Sequence, residues 1–87
     1  MEIFVLRTAS QWDRGSGAAV LIAETQERVQ DLLREYEFED SLTVYTDDSE
    51  AEADVTGPTR HTWVEVERFP TTEQRERIVY VAWDEKI

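Results

Sequence analysis

Cysteine is absent from these 87 residues, lysine and histidine occur once each, proline twice and glycine three times. Without cysteine there is no disulfide and no thiolate metal site, which fits a reducing interior; the expected location is the cytoplasm of a microbe or of a phage-infected host. The lone histidine, His61, leaves little for nucleophilic catalysis. Ser10, Ser16, Ser41 and Ser49 stand in polar or turn contexts, none of them in a Gly-x-Ser-x-Gly elbow, so no enzyme is expected. No apolar run approaches a membrane span, and Ile3 to Leu6 opens without the basic start of a secretion signal, so the reading is a soluble protein. A chain of this length makes one domain, residues 1–87, with a single small core and no enclosed small-molecule pocket.

What the chain has in excess is negative charge. Its formal net charge is −11, and the twenty-five residues from Glu35 to Thr59 carry nine carboxylates and no base: Glu35, Glu37, Glu39, Asp40, Asp47, Asp48, Glu50, Glu52 and Asp54. The other sixty-two residues are nearly balanced, at net −2. Such a surface repels nucleic acid and anionic lipid, so direct binding to either is not expected, while a basic protein surface is attracted.

Apolar periodicity predicts six elements. Glu2 to Arg7 reads as a central strand with apolar side chains on both faces, Ile3 and Val5 opposite Phe4 and Leu6. A polar connection through Gly15-Ser16-Gly17 leads to a second strand, Ala18 to Ala23, that pairs antiparallel with the first. Thr25 caps a helix to about Tyr36 with Val29, Leu32, Leu33 and Tyr36 on one stripe, and Glu24 and Arg28 are spaced for an ion pair. Ser41 to Thr46 alternates as a half-buried strand, followed by an acidic loop or hairpin at about 47–61. Thr62 to Arg68 is the fourth strand, with Val64 and Val66 inward and Trp63, Glu65 and Glu67 on the other side. Thr71 and Gln74 match a capping box for a short helical turn to Glu76, and Ile78 to Trp83 is a last, central strand.

The fold class is therefore α+β, one main helix on a mixed sheet of four to five strands, in the order ββαββ, short helix, β. With Met1, Ile3, Phe4 and Val5 opening the first strand, this order resembles the β-grasp arrangement of ubiquitin-like proteins.

Motifs for bound ligands are incomplete. Gly15-Ser16-Gly17 follows Arg14 but lacks the lysine and spacing of a phosphate loop and precedes a strand, so it reads as a hairpin loop. Asp48, Glu50 and Glu52 have the alternation of a calcium loop, yet Ala53 stands where its glycine belongs and Thr59 where its final acid belongs. No metal and no cofactor are expected.

The acids repeat at every second residue, Glu35, Glu37 and Glu39 and then Asp48, Glu50, Glu52 and Asp54. If the second series is extended, same-face carboxylates lie roughly 6.6 to 6.8 Å apart, close to the phosphate repeat of a nucleic-acid strand. The first series opposes the dipole at the helix end, a local cost that favours a functional reason. Exposed aromatic side chains would add an apolar anchor, with Tyr45, Trp63 and Phe69 as candidates. In size, charge and lack of catalytic groups the chain resembles the DNA-mimic inhibitors that phages use against restriction and CRISPR nucleases. The resemblance implies a non-enzymatic binder that covers a basic, nucleic-acid-binding surface of a nuclease or similar protein. The alternative is a structural, adaptor or halophilic domain whose acids serve solubility, which fits eight arginines against one lysine.

Overall fold

The apolar segments assemble into one helix and five strands in a computed structural model that describes residues 1–8, 16–47 and 62–84. In chain order these are β1 (Glu2–Thr8), β2 (Ser16–Ala23), α1 (Gln26–Glu37), β3 (Thr43–Tyr45), β4 (Thr62–Pro70) and β5 (Arg77–Asp84). The sheet runs β3-β4-β1-β2-β5, antiparallel throughout except for the parallel pair β3/β4. The expected α+β class and one-helix layer are present. The likeness to β-grasp proteins stops at class, because the strand order differs.

The helix follows its local signals. Thr25 is extended, at φ −141° and ψ 162°, and its Oγ1 accepts from the Arg28 N–H at 3.2 Å, capping the first turn. Val29 and Leu33 are fully buried against Phe4, Leu6, Leu21, Leu42 and Trp63, with Leu32 at the margin. Gln30 Oε1 accepts from Val44 N at 3.1 Å and Gln26 Nε2 donates to Val44 O at 2.9 Å. These two glutamines tie the short edge strand β3 to the helix. Arg28 does not depend on Glu24, which precedes the cap; it reaches Asp31 at 3.3 Å and, across the layer, Glu76 at 3.1 Å.

Five expectations are corrected. β5 is an edge rather than a central strand, since it pairs with β2 alone among the described residues. In β1 only the face with Phe4 and Leu6 is fully covered; Ile3 and Val5 are half-buried, because the one helix lies on the opposite side. The strand at 41–46 contracts to three residues, and Tyr45 is buried together with Val64 in a small cluster apart from the main core. β4 is turned over: Trp63 is buried in the main core, while Val66 is 51% exposed. The cause is a bulge, where Val5 pairs with Glu67 and Leu6 with Glu65, leaving Val66 as the extra residue and moving Glu67 to the outer face. Finally, Thr71 to Glu76 forms no helical turn. Thr71 N donates to Met1 O at 3.2 Å and Thr71 Oγ1 accepts from Glu73 N at 3.2 Å. With no apolar side chain from Thr71 to Glu76, a turn there would gain nothing from packing to offset nucleation.

The hairpin loop narrows as well. β2 begins at Ser16, and the Gly17 N–H donates to the buried Thr8 Oγ1 at 2.9 Å, so that amide is occupied inside the hairpin. Residues 9–15 lie outside the described residues, as does most of the acidic segment expected at 47–61.

Candidate partner-binding surface

The end of α1 places an aromatic ring among carboxylates. Phe38 caps the helix in the left-handed region, at φ 54° and ψ 43°, the one non-glycine residue with positive φ among the described residues. Arg34 O accepts from both the Phe38 N–H and the Glu39 N–H, the latter at 3.0 Å, which closes the last turn. Leu42 N then donates to Glu39 O at 3.3 Å, and the Glu39 carboxylate accepts from Ser41 N at 3.2 Å and Ser41 Oγ at 2.7 Å. Arg34 Nε donates to Leu42 O at 2.7 Å while the Leu42 side chain is fully buried. Leu42 and Arg34 thus anchor the turn on the inside. On the outside Phe38 is left 94% exposed, and Tyr36 is 53% exposed.

Around Phe38 in sequence stand Glu35 and Asp40, both exposed, and Glu37 and Glu39, both half-buried. Leu32, Glu35, Tyr36, Phe38 and Ile78 line a shallow open depression of about 390 Å³ between the helix end and β5. Of the four acids, Glu35 borders this open, mainly apolar hollow directly.

The acidic segment is divided by the fold. Glu35 and Glu37 are helical, and two residues on a helix are turned roughly 200° apart, so they leave the axis on different sides instead of forming a row. Asp47 follows Thr46, whose hydroxyl reaches Gln26 Oε1 at the first residue of α1. It lies at the other end of the helix, about 16 Å along the axis from Glu37. Asp48, Glu50, Glu52 and Asp54 lie outside the described residues.

Two aromatic anchors are corrected. Trp63 is wholly buried and Tyr45 nearly so, because β4 and β3 turn them into packed clusters. Phe69 is 45% exposed, but its cross-strand partner is Ile3, on the sheet face away from the helix. Phe38 was not among the candidates. Its signal was phase: continued as a helix, position 38 would fall roughly 180° from Val29, outside the apolar stripe.

Elsewhere Arg68 and Arg77 are paired with acids. Arg68 reaches Glu65 at 2.7 Å and Glu2 at 3.3 Å and lies 4.5 Å over the Phe4 ring, and Arg77 reaches Glu73 at 3.4 Å. The hydrogen bonds from Arg28 hold the Glu76 carboxyl below its ordinary range, and the same pairing raises Arg28. Among the described residues no group of three or more histidine or acidic side chains is arranged to hold a metal ion, and no helix is long and apolar enough to cross a membrane. No protein-family model, curated protein or solved structure matches the chain.

Proposed function

We propose that this protein is a non-enzymatic acidic binding module that covers a basic, nucleic-acid-binding surface of a partner, in the manner of a phage-encoded anti-restriction or anti-CRISPR inhibitor. The observation that carries the reading is the end of α1, where a 94% exposed Phe38 stands among Glu35, Glu37, Glu39 and Asp40. Charge of this density steers encounter with a cationic surface, and an aromatic side chain supplies the desolvated contact that charge alone lacks. Arginines of the partner would pair with the carboxylates, and a side chain flanked by them would enter the hollow beside Tyr36 and Ile78.

Competition tests it. Labelled duplex DNA bound to purified restriction and CRISPR nucleases is titrated with the protein at low salt. Displacement from one of them is expected, weakened when Glu35, Glu37 and Glu39 become Gln and Asp40 becomes Asn, and weakened further as salt is raised. Displacement unchanged by these four substitutions would refute the role of the helix end. A fold that collapses below molar salt, with no displacement of DNA, would favour the solubilising alternative.

A further inference from the structure

The second exposed apolar region lies on the opposite side of the molecule. Cross-strand partners share a face, so the register defines two adjacent rows across four strands of the outer face. One row reads Phe69, Ile3, Ile22, Arg77 and the next Glu67, Val5, Val20, Tyr80, each in the order β4-β1-β2-β5. Phe69 and Tyr80 are about half exposed, at 45% and 55%. Four aliphatic side chains form the centre, Ile22 buried and Ile3, Val5 and Val20 half-buried, so the exposed apolar area lies in the aromatics at one end of each row; Glu67 and Arg77 occupy diagonally opposite corners.

We propose that this outer face is the interface of a two-fold dimer of the chain. The arrangement is self-complementary, as an isologous contact requires. A two-fold axis parallel to the strands, between β1 and β2, sets β4 of one copy over β5 of the other. Ile3 then meets the second copy's Ile22, and Val5 its Val20. Phe69 covers the Arg77 guanidinium of the second copy, and Glu67 stands beside that same arginine. Glu67 gains a cationic partner and Arg77 a second carboxylate besides Glu73, twice over.

Charge favours a second copy over a cationic partner on this face. Its charged side chains, among those described, are Arg7, Arg77 and Glu67, whereas the whole chain carries −11. The acids of α1 and the turn after it lie on the other layer, so among the described residues two copies meet through the less negative side. Size fits a weak, concentration-dependent dimer. β1 has seven residues, and the four strands that carry the rows, about 4.8 Å apart, give roughly 440 Å² in plan on each copy, just under the ~1,000 Å² total of a specific interface. Both helix ends would remain outward.

Sedimentation velocity on the full chain, from low to high micromolar concentration, tests this directly. The expected mass at the upper end is twice 10.2 kDa, with tighter association at about 1 M salt, where the repulsion of two acidic copies is screened. Tyr80→Glu should weaken the dimer by at least about tenfold. Glu67→Arg and Arg77→Glu should each weaken it, and the double variant E67R/R77E should restore it, with circular dichroism verifying the fold throughout. The restoration distinguishes a contact between copies from a loss of stability. A monomer at every concentration and salt overturns the proposal, as does a dimer indifferent to Tyr80→Glu and to both charge reversals. Neither result bears on competition with DNA by the helix end.

Discussion

Replacing Phe38 by glycine should strengthen the fold and weaken binding. The left-handed conformation at φ 54° brings Cβ against the following carbonyl, a cost of roughly 1–2 kcal/mol for a residue other than glycine. Removing the ring forfeits little packing, because 94% of the residue is exposed. Against the relief stands the greater freedom of glycine in the unfolded chain, about 0.5–1 kcal/mol. The balance is a gain of about 0.5–1 kcal/mol, or a rise in Tm of about 4 °C for a domain of this size. Thermal unfolding by circular dichroism reads it, and Phe38→Asn, which tolerates the left-handed region, should move the same way. Competition assays on the same variants should show at least about a tenfold loss, the scale of a truncated aromatic anchor. A drop in Tm for both variants would refute the reasoning, since it would mean that the ring contributes packing or that the cap is not left-handed.

Other substitutions probe the scaffold. Thr25→Ala removes the acceptor for the Arg28 N–H and should cost about 1 kcal/mol by urea unfolding. Leu33→Ala, at a fully buried position, should cost about 2–5 kcal/mol, and a loss below 1 kcal/mol would contradict helix-on-sheet packing there. Glu76→Gln tests the tie between Arg28 and the β4–β5 connection. Because folding depresses the Glu76 carboxyl below its ordinary 4.5, its stabilisation is complete above that value and disappears as pH falls through the depressed one. The variant should therefore be less stable than the parent at neutral pH and converge with it in acid; a constant difference across that range would refute the pairing.

Local signals were legible in the sequence wherever a residue and its near neighbours suffice. Thr25 as cap, the burial of Val29 and Leu33, the β1–β2 hairpin and the α+β class follow from spacing, because capping and helical periodicity act within a few residues. The acidic excess between Glu35 and Thr59 is likewise composition, independent of fold. Its geometry is another matter: alternation makes a row only on a strand, and Glu35 and Glu37 belong to a helix.

Tertiary pairing decided the rest. Whether Trp63 or Val66 faces the helix depends on a bulge in the ladder with β1, and one extra residue reverses the face of everything beyond it. Whether β5 is central or an edge depends on which strands lie beside it, a relation between segments far apart in the chain. Phe38 points to solvent because Leu42 enters the core and Arg34 ties the turn to the helix, so the chain can close there only through a left-handed residue. Charge and helix phase are properties of the chain. Strand order, face and the exposure of that ring arise only once distant segments pair, because one residue of register decides which side each side chain takes.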